Sequence, residues 1–105
     1  MKVAMVAHHY PRAEHREKFV ARVHRVAEVF RGTPGCLSAE AWLAGEAWLA
    51  GEAWLAGEAV VSIVRWESQE ASAASLAAAQ GAAGVDIAFD ERESRPREIV
   101  QLVEA

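Results

Sequence analysis

Three identical copies of a six-residue segment, EAWLAG, follow one another from Glu40 to Gly57, and they constrain the fold more than any other feature of the chain. Six residues are too few for a buried supersecondary unit, so the copies are not a solenoid and read as a duplication within an ordinary domain. Deleting two copies leaves 93 of the 105 residues, with a middle that runs CLSAEAWLAGEAVVSIVRWES. In that shorter chain Leu37–Leu43 and Val60–Trp66 are β-prone runs joined by an Ala-Gly-Glu turn, a hairpin pattern. With all three copies present, a turn at the middle one, near Ala50-Gly51, preserves every pairing of the parent strands. A turn at the first or last copy leaves twelve surplus residues in one strand. Six is even and the strand period is two, so Trp42 and Trp48 are expected on one face, with each strand lengthened by roughly 20 Å. A helix is the weaker reading, because Gly45, Gly51 and Gly57 would each cost about 0.8–1 kcal/mol relative to alanine. Six residues also rotate a helix by about 600°, so the tryptophans would form no single stripe. The expectation is a long hairpin arm.

The flanking sequence supplies the other elements. Lys2–Tyr10 is a strand-like run of Val, Met and Ala stopped by Pro11. From Glu14 to Arg31 the apolar residues Phe19, Val23, Val26, Ala27 and Phe30 follow one helical face, and Gly32 with Thr33-Pro34-Gly35 ends it. Ser68 is the expected N-cap of a second helix, Gln69–Gln80, closed by Gly81 and Gly84. Val85–Phe89 fits either a short strand or a buried turn. Asp90–Arg97, dense in charges of both signs and in proline, reads as a solvated linker. Glu98–Ala105, with Ile99, Val100, Leu102 and Val103, is the last strand. The order β-α-β-β-α-β predicts an α+β, ferredoxin-like fold, an antiparallel four-stranded sheet with two helices on one face. Two helices cover only that face, so a second copy of the sheet is expected on the other, which predicts a homodimer.

Composition narrows the partners. With 15 acidic and 11 basic side chains the formal net charge is −4, and the short basic runs do not supply a phosphate-binding surface, so nucleic acid is not expected. The single cysteine, Cys36, has no disulfide partner in the chain and no metal-ligand spacing around it, which fits a reducing, cytoplasmic setting. The apolar start is too short for a signal sequence, and no run of eighteen apolar residues suggests a membrane span. The four histidines show no HxH or HExxH spacing, and the glycines sit in repeats and turns, so neither a metal nor a nucleotide is implied.

A strand leading to a helix that carries Phe19, then TPGCLS at Thr33–Ser38, then VRWES at Val64–Ser68 where a second helix begins, resembles the antibiotic biosynthesis monooxygenase domain. The resemblance spans roughly residues 2–80 and the last strand, and it implies one such domain over residues 1–105, with 40–57 extending the central hairpin. It further implies a dimeric α+β barrel. Family members include cofactor-free oxygenases of polyketide aromatics, heme-degrading enzymes, quinol-modifying proteins and members without established activity. Trp66 matches the tryptophan of the W-x-S motif that lies near the cavity in active members. The asparagine that oxygenase members place near the cavity has no counterpart, since the chain contains none. The heme-degrading branch ligates iron through a histidine on the second helix; Gln69–Gln80 has none, so no cofactor is expected.

Cofactor-free oxygenation requires a base that generates a carbanion or phenolate inside an apolar cavity. His8 and His9 are consecutive on the first strand, so one faces the helices and the other the opposite side, where the cavity is expected. Imidazole suits the role because its ordinary pKa, about 6.5, is near neutral. In this scheme His8 or His9 takes the proton, Tyr10 or Arg65 binds the oxyanion, and Trp66 stacks on the ring of a phenolic or polyketide-type aromatic. The competing reading is a non-catalytic ligand-binding or structural protein of the same fold, or a duplication variant whose repeats alter assembly. Either way the apolar arm, with Trp42, Trp48 and Trp54, is expected to find a partner, so a homodimer or higher oligomer follows.

Overall fold

The computed structural model describes residues 1–44, 59–81 and 91–105. The expected turn near Ala50-Gly51, the shared face of Trp42 and Trp48 and the segment Val85–Phe89 lie outside the described residues.

The described elements are β1 (Val3–His9), a single 3-10 turn (Ala13–His15), α1 (Arg16–Arg31), β2 (Cys36–Ala44), β3 (Ala59–Trp66), α2 (Gln69–Gly81) and β4 (Glu98–Val103). All sheet pairings are antiparallel, in the order β2-β3-β1-β4. This is the ferredoxin-like α+β fold that the element order predicts. The helix expected from Glu14 starts regularly only at Arg16, because its first turn is the tighter 3-10 form and His15 offers no side-chain cap.

The layers meet where the apolar stripe of α1 lies on one face of the sheet. Phe19, Val23, Ala27 and Phe30 are buried there against Ala39, Val60, Val64 and Trp66. Trp66, 1% exposed, packs edge-on to Phe30 with ring centroids 5.7 Å apart. Its indole Nε1–H donates to Ser75 Oγ at 2.8 Å, so α2 is tied to the end of β3 through a satisfied buried polar pair. Ser68 caps α2 as expected, accepting from the Ala71 N–H at 3.1 Å. Gly35 has φ +85, and a Cβ there would lie 2.6 Å from the Ala71 Cβ, so only glycine lets the turn before β2 pass under the start of α2.

Among the described residues no helix covers the other face of the sheet. By register it carries Ala4, Val6 and His8 of β1, Ile63 and Arg65 of β3, Trp42 of β2, and Val100 and Leu102 of β4. Trp42, Val100 and Leu102 are 57%, 49% and 47% exposed, a strongly apolar open surface.

The β2–β3 ladder reaches Ala44 opposite Ala59. A chain lacking residues 46–57 has only Gly45 and Glu58 between that pair, a loop with glycine first, as type II′ turns require. That variant is expected to keep every β2–β3 pairing. A variant lacking only residues 46–51 leaves eight residues between Ala44 and Ala59 with Trp54-Leu55 at their centre, poor turn chemistry, and is expected to melt below the first. Circular dichroism melts of both variants beside the full chain check the ranking.

Candidate functional site

A cavity of about 90 Å³ lies between the sheet and α1. Met5, Phe19, Val23, Phe30, Leu76 and Ile99 contribute its apolar wall, and His9, Arg22, Ser62 and Arg97 its polar end. Strand alternation explains the wall. Met5, Ala7 and His9 are alternate residues of β1 and point toward the helices, while Ala7 pairs with Ser62 on β3 and with Ile99 on β4. Arg22 joins them because it follows Phe19 by three residues and so lies on the apolar stripe of α1.

His9 is the centre of the polar end. It is 7% exposed, its ring sits 5.4 Å from that of Phe19, and its Nε2 is 3.4 Å from Ser62 Oγ. Its Nδ1 faces Glu93 Oε1 at 3.6 Å. Glu93 is 1% exposed, and its Oε2 accepts from Arg97 Nη2 at 2.9 Å. The carboxylate beside Nδ1 favours a proton on that nitrogen and leaves the Nε2 lone pair turned toward Ser62. The Arg22 guanidinium carbon lies 4.9 Å from the centroid of the Phe19 ring. Desolvation, followed by the positive charges of Arg97 and Arg22 and by neighbouring His8, pushes the His9 pKa down to about 4, so the imidazole is neutral at pH 7.

Backbone pairing delivers Glu93 to this place. The Arg12 N–H donates to Arg92 O at 2.8 Å, the Ser94 N–H donates to Tyr10 O at 2.8 Å, and Pro11 and Glu93 form an isolated antiparallel bridge. The stretch Asp90–Arg97, expected to be a solvated linker, is therefore stapled at residues 92–94 to the end of β1, with Glu93 turned inward.

Of the five residues singled out in the sequence, His9 reaches the cavity and the other four lie elsewhere. His8 alternates onto the open face of the sheet, as does Arg65, whose Nε donates to Ser38 Oγ at 3.1 Å. The cavity itself is on the helix side rather than the open side, because the apolar stripe of α1 leaves a gap over His9 and Ser62. Tyr10 sits past the end of β1, its hydroxyl bonded to Glu98 and its ring 3.7 Å from the Arg95 guanidinium carbon. The Glu98 hydrogen bond, with some desolvation, raises the Tyr10 pKa. Trp66 is in the core with Phe30 and Ser75, one strand end away from His9. Arg22, Ser62, Glu93 and Arg97 are the residues that sequence reasoning passed over; only Arg22 left a readable sign, as a charge within an apolar helical stripe.

The architecture, a two-layer sheet and helix sandwich with a small apolar cavity between its layers and a neutral histidine at one end, is that of the ferredoxin-like class. Residues 2–86 match the antibiotic biosynthesis monooxygenase family, and the chain belongs to it. No curated protein sequence matches significantly. Among solved structures it is similar to Rv0793 from Mycobacterium tuberculosis, at 19% identity and TM-score 0.70 over 100% of this chain and 96% of that one. A mutant of SnoaB, a cofactor-independent oxygenase from Streptomyces nogalater, is similar at 16% identity and TM-score 0.64, over 98% of this chain and 92% of that one. PA3566 from Pseudomonas aeruginosa is similar at 14% identity and TM-score 0.66, over 99% of this chain and 94% of that one. No helix among the described residues is long and apolar enough to cross a membrane.

Proposed function

We propose that this protein is a cofactor-independent monooxygenase acting on a phenol, with His9 as the base. The observation that carries the reading is His9 itself, a neutral imidazole in the wall of an apolar cavity with a carboxylate beside Nδ1 and the Ser62 hydroxyl beside Nε2. Nε2 takes the phenolic proton, and the resulting imidazolium is stabilised by Glu93 while Arg22 stabilises the phenolate. The electron-rich ring then reduces dioxygen and is oxygenated at the para carbon. One phenol and one dioxygen give one quinone and one water, with all four electrons coming from the ring. Size bears on how a substrate sits: about 90 Å³ is less than the roughly 150 Å³ of a cavity known to admit benzene, so an aromatic ring enters only in part and the rest of the substrate lies in the mouth.

Oxygen uptake with a monocyclic phenol tests this reading. Replacement His9→Gln is expected to lower the rate by about 10²–10⁴-fold, the usual worth of a positioned base. Equal uptake by both chains would remove His9 from the reaction. The second reading, a ligand-binding protein without turnover, is favoured by the burial of Trp66, which withdraws the expected ring-stacking partner; it predicts binding of the same phenol with no oxygen uptake.

The open face of the sheet supports a homodimer as the working unit, since Trp42, Val100 and Leu102 would otherwise face water. The double replacement Val100→Asp with Leu102→Asp is expected to halve the mass measured by light scattering. An unchanged mass would place the contact elsewhere.

A further inference from the structure

We infer that Ser62, His9 and Glu93 form a nucleophile, a base and an orienting carboxylate for acyl transfer, and that the protein hydrolyses aryl esters of short-chain acids. The inference goes beyond the oxygenase reading and does not rest on it. The two share His9, and the phenol that an aryl ester releases has its oxygen where that reading places the substrate's hydroxyl.

The arrangement follows from the sheet register. Ala7 of β1 pairs with Ser62 of β3 and His9 with Val60, so Ser62 and His9 are diagonal neighbours on the helix side, a separation that an imidazole ring spans. Ser62 Oγ lies 3.4 Å from His9 Nε2, and Glu93 Oε1 lies 3.6 Å from His9 Nδ1. Ser62 and His9 line the cavity, while the buried Glu93 faces the ring's other nitrogen and is held by Arg97 through its second oxygen. A hydroxyl, a base and a carboxylate in this sequence of contacts are recognised by geometry and not by chain order.

A second observation singles out the carboxylate contact. His9 Nδ1 and Glu93 Oε1 are both buried and have no hydrogen-bond partner among the described residues, although each faces the other. Two unsatisfied atoms in one contact are costly for a purely structural pair, and a small rotation of the ring joins them. Catalytic contacts are commonly loose before substrate is bound and tighten with it.

With its proton on Nδ1, toward Glu93, the imidazole turns the Nε2 lone pair to the Ser62 hydroxyl. Ser62 Oγ attacks the ester carbonyl carbon as its proton passes to Nε2, and the carbonyl π pair moves onto oxygen. Arg22 and Arg97, in the same wall, supply positive field to that oxyanion, an effect that requires no vacant N–H. Collapse breaks the bond to the phenolic oxygen, which takes the proton from Nε2 and leaves as phenol, with the acyl group on Ser62. Water then attacks the acyl carbon, giving a proton to Nε2, and the acyl–Oγ bond breaks as Nε2 returns the proton to Ser62. One ester and one water yield one phenol and one carboxylic acid, with no change of oxidation state. The cavity sets the acyl group. About 90 Å³ of largely apolar space takes a short acyl chain, whereas a cavity of roughly 150 Å³ is known to admit benzene, so the aryl group stays toward the mouth.

Phenyl acetate under argon decides the matter, with phenol release read by absorbance and the acyl-enzyme trapped in acid and located by peptide mass. Excluding dioxygen separates this activity from oxygenation. The acetyl group is expected on Ser62. Ser62→Ala is expected to lower the rate by at least about 10²-fold, and Ser62→Cys to carry the acetyl group as a thioester. Glu93 is a positioning residue. In Glu93→Gln the amide donates to Nδ1, so the nitrogen-15 shifts of His9 are expected to show the proton moved to Nε2, and the rate to fall as far. Should either variant fail to fold, the acyl-enzyme and the His9 tautomer of the unaltered chain still decide. Hydrolysis at the buffer rate, acetyl groups only on other residues, an unchanged rate in Ser62→Ala, or a proton on Nε2 in the unaltered chain overturns the proposal. Hydrolysis without oxygen uptake from the phenol leaves it standing and removes the oxygenase reading; uptake without hydrolysis does the reverse.

Discussion

Replacing Glu93 with alanine is expected to destabilise the fold by about 3–5 kcal/mol, although the residue lies in a charge-rich stretch of chain. Its carboxylate is fully enclosed, with one oxygen on Arg97 Nη2 at 2.9 Å and the other facing His9 Nδ1 at 3.6 Å. The desolvation of two opposite charges has already been met in the folded state. Removing the anion takes away the counter-charge that lies 2.9 Å from the Arg97 side chain, which is 11% exposed. At about 4–8 °C per kcal/mol for a domain of this size, the midpoint of a thermal melt falls by more than about 10 °C. The paired replacement Glu93→Leu with Arg97→Met removes both charges and is expected to cost less than Glu93→Leu alone. A single variant melting within two or three degrees of the unaltered chain would show that the carboxylate is hydrated and not the inner member of a buried pair.

That expectation marks the boundary of what sequence made legible. The element order and the apolar stripe of α1 follow from local periodicity, and Ser68 and Gly35 follow from cap and turn chemistry, all of which involve residues a few positions apart. The repeats obscured none of it, since an even insertion leaves the alternation of the flanking strands intact. His9 was within reach because proline after a strand fixes where that strand ends. Which of two adjacent histidines faces inward is a question of parity, and it is settled by Ala7, whose small side chain packs under the helices. The partners of His9 were not legible. Glu93 comes from a segment whose composition is that of a solvated linker, and its burial results from hydrogen bonds to Tyr10 and Arg12, about 80 residues earlier in the chain. No local pattern encodes such a pairing. Trp66 lies in the core with its indole N–H on Ser75 Oγ, and it lines a second cavity, of about 240 Å³, and not the one that holds His9.

The fold's stability is expected to fall as the pH drops from about 6.5 toward 4, and His9 is the cause. Its pKa in the folded chain is about 4, below the ordinary 6.5 that it recovers on unfolding, so between these values the unfolded chain binds a proton that the folded chain refuses. The contribution is fully present above pH 6.5, is reduced by roughly 1 kcal/mol at pH 5.5, and is reduced by about 3 kcal/mol at pH 4. Urea denaturation at pH 7.5, 5.5 and 4.5 measures it, and His9→Gln isolates it from the other titrating groups, since the difference between the two chains should shrink at each lower pH. If instead the two chains lose stability in parallel, the folded imidazole accepts its proton as readily as the unfolded one. Glu93, at 3.6 Å, would then offset the burial and the two arginines that disfavour the imidazolium.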